Sequence, residues 1–531
     1  MDRIVVLSGQ INSGKSTLAR GLAERYGLTL FSTKAALQGR ISNDGLGDRK
    51  ILQATGARID RETGGSWVAQ DLNRSLRESN PKQGIVVDAV RIEGQVRALR
   101  EAFGARVVHI HLTAPDSVLK ARHKGKRRGP MDKDVSYAQT KDDPTERQVE
   151  SLAHLADAVI DTNRCTVEDV LARASSVIRP PPQTGLGHVD VVVGGEYGSE
   201  GKGQIVSRIA KDYDLLVRVG GPNAGHKVFG SPPYTHHQLP SGTRFSDAKL
   251  LIGPGAVLHV AKLLKEISEC GVDGTRLVID RNAMVIEPGD IAAERDLVGE
   301  IGSTGSGTGA ATARRIMARS RRTRLAKDAP ELKPFLGDAF AVLEEAYFAG
   351  KKILLEGTQG TGLSLYHGTY PYVTSRDTTA MGCLAEAGIP PRWVRKILMV
   401  SRTYPIRVQS PKGGTSGPLR SISWTEVSRR SGIPVAELWA LEKTSTTHRR
   451  RRVGEFDWAL LRRAALLNGA TDIALTFTDY ISLENRKANR FDQLTPETIR
   501  FIDEVERVAG VPVSMVATGF NQRSVIDRRA W

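Results

Sequence analysis

Short, unbroken runs of β-branched and aliphatic residues recur along the chain, and they set the fold class before any motif is considered. "RIVVLSG", "GIVVDAV", "ARVVHIHL" and "DAVIDT" come first, alternating with stretches of helical periodicity. Runs this short, apolar at consecutive positions, suit strands buried on both faces, as in parallel sheets covered by helices. The same style returns in "HVDVVVGG", "DLLVRVGG", "KLLIGPG", "TRLVIDR", "KKILLEG", "KILMVSR", "DIALTFT" and "PVSMVAT". Between the two series lies "IRPPPQTGLG" at 178–187, whose three prolines and two glycines cannot continue a helix and suit a linker. The expectation is an α/β protein of two domains, 1–178 and 188–531, joined by 179–187.

Composition narrows the function classes. The net charge of +17 raises nucleic-acid binding, with basic runs at 122–128, 314–324 and 449–452. None of these runs is interleaved with aromatic residues for base stacking. An enzyme that grips several phosphates and carboxylates with arginine accounts for the charge better, so nucleic acid is not the expected partner. Cys165, Cys270 and Cys383 show no CxxC spacing. They fit a reducing compartment and give no metal-site signal. The start, "MDRIVVLSGQ", lacks the pattern of a signal peptide, and no apolar run approaches the ~20 residues of a membrane span. A soluble cytoplasmic protein is expected.

"GQINSGKST", Gly9 to Thr17, matches GxxxxGK[ST] and lies between the apolar run "IVVLS" and the helical pattern "STLARGLAERYG". Backbone N–H groups of such a loop cradle phosphate oxygens at a helix N-terminus. Gly14, Lys15, Ser16 and Thr17 are therefore candidate triphosphate-binding residues, with Ser16 on Mg²⁺. Asp88, ending "VVDA", is a second candidate Mg²⁺ or substrate-side acid; the alternative is a helix N-cap. Arg91 is placed to meet an acceptor phosphate, and "ARHKGKRRG" reads as a basic lid or as a solvated helix face. Together these features resemble nucleoside and nucleotide kinases and their P-loop relatives, without fixing an acceptor.

A second set of motifs follows in order: "GSEGKG", "GGPNAGH", "HQLPSG", "STGSGTG", "EGTQG", "HGTYPYVTS" and "TTHRRRR". They resemble the signature segments of adenylosuccinate synthetases across essentially all of 188–531. That resemblance implies an α/β ligase that phosphorylates a purine 6-oxo group with a nucleoside triphosphate and Mg²⁺, then lets the aspartate amine displace phosphate. Negative charge builds near O6, which calls for preorganised donors and cations. The resemblance places Gly201, Lys202 and Gly203 on phosphate, His226 as an acid-type catalyst, and Ser199 and Gln359 in the catalytic set. It places Asn223, Thr304, Gln359 and Thr374 on the substrate nucleotide, and Thr446, Thr447, Arg449 and Arg451 on aspartate. Asp479 would read the donor base, the Gly225 carbonyl would hold Mg²⁺ with position 199, and a homodimer is implied.

Three departures matter. The usual loop is G-D-E-G-K-G, whose aspartate takes the purine N1 proton and helps hold Mg²⁺; here the position is Ser199. Inactivity, an ordinary synthetase on IMP, and a pocket remade for another purine compete as explanations. A serine removes charge, opens space near N1 and C2, and can accept from a 2-amino group. The loop, with "STGSGTGAAT", resembles phage 2-aminoadenylosuccinate synthetases, which use dGMP in place of IMP. Next, the guanine-recognition segment L-T-K-x-D reads "LTFTD", with Phe477 for lysine, so both ATP and GTP stand as donors. Third, Ser306 replaces a usual arginine, and Arg314, Arg315 and Arg319 are candidates for the arginine given across a dimer. Glu200, His226 and solvent are the candidates to receive the N1 proton. A (d)GMP-type substrate is the favoured reading. A fused P-loop domain implies successive steps on one nucleotide, or else a nucleotide sensor. The rival of another class is a nucleic-acid-stimulated NTPase with a silent synthetase-like domain.

Overall fold

The computed structural model describes residues 3–41, 49–79, 84–125, 137–141, 144–163, 165–178, 187–320, 323–409, 416–443 and 449–531. It contains two compact units, Met1–Thr184 and Gly185–Trp531. Nearly all of the proposed linker lies outside the described residues.

The first unit is a five-stranded parallel sheet. Its strands are β1 (Ile4–Gly9), β2 (Thr29–Ser32), β3 (Ile85–Asp88), β4 (Val107–Thr113) and β5 (Ala158–Asp161), in the order β2-β3-β1-β4-β5. Every residue of β1 is buried. Alternation sends Val5 and Leu7 against Leu18 and Leu22 of helix α1 (Lys15–Tyr26), while Ile4 and Val6 face Trp67, Leu72 and Leu99. β1 occupies the centre, so the loop after it opens at the carboxyl edge of the sheet, where α/β proteins bind ligands.

In the second unit, ten strands among the described residues form one sheet. They are β6 (Val189–Gly194), β7 (Leu215–Arg218), β8 (Lys249–Ile252), β9 (Leu277–Asp280), β10 (Leu336–Gly337), β11 (Ile353–Glu356), β12 (Val394–Arg402), β13 (Asp472–Thr476), β14 (Val513–Ala517) and β15 (Val525–Asp527). The order is β10-β9-β8-β7-β11-β6-β12-β13-β14-β15, parallel except for the last pair. Val191 and Val193 pack beside Leu343 and Leu461, and Val192 on the opposite face packs beside Ile205, Val206 and Leu263. Asp190 is the polar exception on β6; it accepts from Tyr213 Oη at 2.7 Å and pairs with Arg395. Helix α2 (Lys202–Ile209) follows β6, and a small three-stranded antiparallel sheet carries Arg451–Gly454 between Ile406–Val408 and Ser421–Ile422. Among the described residues no helix is long and apolar enough to cross a membrane.

Truncating Leu355 at the centre of β11, where it is fully buried, removes packing that the sheet cannot close over. Leu355→Ala is expected to destabilise the second unit by about 2–5 kcal/mol, measured by denaturant unfolding.

Candidate active sites in two phosphate loops

In the first unit the loop between β1 and α1 takes the form its glycines allow. Gly14 caps α1 with φ +102°, a conformation that a side chain would strain. Lys15 Nζ donates to the carbonyls of Gly9 and Gln10, both at 2.7 Å, so the lysine is folded over the loop that would receive phosphate. Gly14, Lys15, Ser16, Thr17, Asp88 and Arg91 all line one cavity of about 990 Å³. The parallel register sets Asp88 beside Leu7, at the carboxyl end of the central strands. It is not a helix cap, because the next helix, Glu93–Phe103, begins after Ile92. Arg91 is paired with Glu146, which is buried. The basic lid segment is helical over Asp116–Gly125, and residues 126–136 lie outside the described part.

In the second unit, "GGEYGSEGKG" links β6 to α2 in the same strand–loop–helix manner. Gly201 caps α2 with φ +88°, and Ser199 itself is left-handed at φ +60°. Glu200 is fully buried at the centre of the loop. Its Oε1 accepts from the N–H groups of Gly198 at 2.8 Å and Glu196 at 3.2 Å, and its Oε2 accepts from Lys202 Nζ at 2.6 Å. Ser199 is exposed. Its carbonyl accepts from Arg402 Nη1 at 3.3 Å, and its Oγ accepts from Arg451 Nη2 at 3.3 Å.

His226 begins the short strand His226–Val228, with its ring nearly buried. Nδ1 lies 2.8 Å from Arg218 Nη1 and 2.5 Å from Glu356 Oε1, at the ends of β7 and β11. Burial, and then the Arg218 charge, push the imidazole pKa down to about 3. Burial alone would raise Glu356, but Arg218 and His226 hold its carboxyl well below the usual carboxylate range. The ring is therefore neutral at working pH.

Of the other sequence candidates, Gln359 is left-handed at φ +58° and its Oε1 accepts from Thr358 Oγ1 at 2.7 Å. The Cα of Gln359 lies 3.7 Å from a Cβ built at Gly198, so the strand-end glutamine meets the phosphate loop. Asn223 has a buried Oδ1 without a hydrogen-bond partner, and Thr304 Oγ1 is 2.8 Å from Ser306 Oγ. The N–H of Thr374 donates to the Leu363 carbonyl at 2.8 Å. Thr446 and Thr447 lie outside the described residues, while Arg449 is half-buried. Arg314 is held by Asp290 at 2.7 Å and Glu287 at 2.8 Å, Arg315 donates to the Pro254 carbonyl at 2.8 Å, and Arg319 is an exposed left-handed residue after the helix Thr308–Ala318. Asp479 has no exposed surface; Arg486 holds its Oδ2 at 2.9 Å, and burial pushes its pKa up to about 6. Phe477 lies under the Arg402 guanidinium, 3.9 Å from its ring centroid.

Sequence reading missed several members of this site. Glu442 is buried and holds Arg402 at 2.8 Å, Arg451 at 2.9 Å and the Tyr480 hydroxyl at 2.7 Å. Arg402, Glu356 and Arg218 stand at the carboxyl ends of strands, which is the one sequence signal that pointed to them.

Comparison with known proteins agrees with this geometry. The adenylosuccinate synthetase family model matches residues 191–326 and 319–486, and an AAA domain model matches residues 5–148. The adenylosuccinate synthetase of Methanocaldococcus jannaschii is 40% identical over 348 residues, covering 64% of this chain and 96% of the relative. That of Archaeoglobus fulgidus is 38% identical over 346 residues, covering 64% and 98%. Among solved structures, a cyanophage S-2L succinoaminodeoxyadenylate synthetase (PurZ), bound to dGMP and to dATP as an energy donor, superposes with a TM-score of 0.54 at 25% identity, over 65% of this chain and 97% of that one. The fully ligated adenylosuccinate synthetase of Plasmodium falciparum shares the fold, with a TM-score of 0.55 at 23% identity over 65% and 100%. The fold joins a P-loop domain to a domain of the adenylosuccinate synthetase type, a class of C–N ligases. The chain belongs to the adenylosuccinate synthetase family.

The neutral His226 carries a pH signature. Its folded pKa of about 3 lies below the ordinary 6.5 that the unfolded chain recovers. Between those values the unfolded state binds the extra proton, so this contribution to stability is complete above about pH 6.5 and is lost as pH falls toward 3. His226→Asn is expected to lose less stability than the wild type between pH 7 and pH 5, as read by urea unfolding at both values.

Proposed function

We propose that the second unit ligates aspartate to a guanine-type nucleoside monophosphate, giving a 2-aminoadenylosuccinate-type product. The observation that carries this is Ser199, a neutral hydroxyl engaged by Arg451 where the family loop has an acid. A hydroxyl beside the purine edge accepts from a 2-amino group and leaves it room. In the first step the purine O6 attacks the γ-phosphorus of a triphosphate, and the diphosphate leaves with the bonding electrons. In the second the aspartate amine attacks C6, and phosphate leaves with O6. Lys202 and the amides of the loop hold the transferring phosphoryl group. The ionised Glu356 carboxylate can only accept, so the neutral His226 ring donates its Nδ1 proton there and presents an unprotonated Nε2; once Nε2 has taken up a proton it can donate to O6 or a phosphoryl oxygen. Glu200 is committed to the loop's own N–H groups and Lys202, which leaves His226 or solvent to receive the N1 proton.

Among the described residues no cluster of three His, Cys, Asp or Glu is arranged to hold a metal ion. Mg²⁺ takes few protein ligands and binds largely through substrate phosphates. By the family resemblance the Gly225 carbonyl would hold it in the second unit, and Ser16 and Asp88, which line the same cavity, would hold it in the first. Ser199 does not fit it, because two guanidiniums lie at 3.3 Å from its oxygens. When bound, the ion would neutralise phosphate charge.

Phe477 replaces the lysine of the guanine-reading segment, and Asp479 is turned into an ion pair with Arg486. Both features favour ATP or dATP over GTP as donor. The cyanophage relative was solved with dATP in that role. The first unit is proposed to transfer phosphoryl from a triphosphate to a nucleotide. A homodimer is proposed from the family resemblance, and Ile316 and Met317, 61% and 80% exposed, offer it an apolar face. The archaeal relatives, at 38–40% identity, favour a second reading, an ordinary synthetase on IMP.

Mass spectrometry of a reaction with aspartate, Mg²⁺, ATP, GTP, IMP, dIMP, GMP and dGMP decides between them. A succinylated guanine-derived product is expected; product from IMP or dIMP alone would refute the guanine assignment. Lys15→Ala is expected to lower formation of succinylated nucleoside diphosphate at least 100-fold while the succinylated monophosphate, and the donor-derived diphosphate released with it, still form. Succinylated nucleoside diphosphate that still forms after this change would rule out the P-loop as the kinase site.

A further inference from the structure

The cavity that holds the first unit's phosphate loop is also walled by the helix Arg49–Thr63. Leu52, Gln53, Gly56, Ala57 and Asp60 line it, at the spacing of one helical face. Gly56 leaves room at the middle of that face: a Cβ there would stand 3.3 Å from the Leu37 side chain, which lines the same cavity. Asp60, half-buried, gives this otherwise mostly apolar wall a carboxylate. Its Oδ1 accepts from Trp67 Nε1 at 2.7 Å and from Gln95 Nε2 at 2.9 Å. Both donors are themselves held. Trp67 is buried, and buried Gln95 uses its own Oε1 to accept the Arg91 N–H at 2.8 Å. The nearby cations are engaged elsewhere: Arg40, over the Trp67 ring, pairs with Asp71, and Arg91 pairs with Glu146. Among the described residues Asp60 Oδ2 accepts no hydrogen bond. A carboxylate only accepts, so Asp60 offers the cavity a fixed oxygen that calls for an N–H donor.

We propose that Asp60 reads the base in the first unit's acceptor seat, and that this seat takes a nucleoside monophosphate whose base carries an exocyclic amino group. The proposal rests on the reading of the first unit as a phosphoryl-transfer unit. The amine donates to Asp60 Oδ2, the apolar residues of the wall pack against the base, and the monophosphate lies toward Lys15 and Arg91, which line the same cavity. There an oxygen of the monophosphate attacks the γ-phosphorus of ATP, and ADP leaves with the bonding electrons. A guanine nucleotide and its succinylated product both carry a 2-amino group, and hypoxanthine has none. The seat therefore discriminates against IMP by leaving its own acceptor unpaired.

The test uses the full chain with ATP and Mg²⁺, without aspartate. It follows nucleoside diphosphate formed from GMP, IMP, AMP, CMP and UMP, counting only product that Lys15→Ala loses. GMP differs from IMP by the 2-amino group alone and should be used with a kcat/KM about tenfold higher or more. AMP against IMP and CMP against UMP place the amine: a preference confined to one of those pairs keeps Asp60 as the reader and moves the amine on the base. In Asp60→Asn the amide oxygen must face Trp67 and Gln95, which are both donors, so an amide N–H takes the place of Oδ2. That variant should bring the amino base down to the level of its counterpart. Binding is read separately from the indole N–H resonance of Trp67, assigned with Trp67→Phe. GMP should shift it in the wild type, and its persistence in Asp60→Asn reports that the variant is folded; if the variant is not, the wild-type preferences decide alone. Equal use of every amino base and its counterpart, or a preference that Asp60→Asn keeps, overturns the inference. The two layers separate. A Trp67 shift with GMP and not with IMP, without Lys15-dependent diphosphate, removes the phosphoryl transfer and keeps the seat. Lys15-dependent diphosphate from amino and amino-free bases alike removes the seat and keeps the transfer, and neither shift nor product overturns both.

Discussion

The Glu200 carboxylate carries the second unit's phosphate loop. It is buried without solvent contact, and three donors of the loop converge on it: the N–H groups of Glu196 and Gly198 and the Lys202 ammonium. Removing Lys202 would leave the Glu200 charge unpaired in the interior, which is far costlier than the pair itself is stabilising. The loop therefore keeps one shape, and that shape fixes Ser199 in its left-handed conformation with the hydroxyl outward. The lysine, held at 2.6 Å, is preorganised at the phosphate end of the loop. Much of what the site can do follows from this one ion pair and from the helix that starts beside it.

Around that fixed loop, charge is arranged in two separate corners. His226, Arg218 and Glu356 form a buried set in which the arginine neutralises the carboxylate and the ring stays neutral. The one proton of such a ring is committed to Glu356 through Nδ1, which leaves Nε2 as the nitrogen able to exchange a proton with a ligand. On the other side Glu442, Arg402, Arg451 and Tyr480 form a set with surplus positive charge. Ser199 borders the second set, through Arg402 and Arg451. Serine leaves the ion pairs of both corners intact.

Much of this was legible in the sequence. The central strands announced themselves as short apolar runs because both faces of each sheet are covered, and the motifs were readable because a glycine turn before a helix is a local pattern. The short edge strands β2, β10 and β15 were not foreseen: two to four residues at a sheet edge leave little periodicity to detect. The Glu442 network was invisible for another reason. Arg402 lies 40 residues from Glu442, and Arg451 lies 252 residues from Ser199, so only the folded sheet brings them together. Asp479 illustrates the reverse case. Its motif suggested a base reader from sequence alone, and the tie to Arg486, seven residues on, together with its full burial, is visible only in the fold.

The central claim, that this loop still activates a purine 6-oxo group for displacement, is tested most directly by isotope transfer. A guanine nucleotide carrying ¹⁸O at the 6-position, incubated with the protein, ATP, Mg²⁺ and aspartate, would be followed by mass spectrometry of the inorganic phosphate released. The account predicts one ¹⁸O in that phosphate for each succinylated nucleotide formed. Phosphate released without the label would contradict it, because the bond from O6 to C6 would then not be the one that breaks.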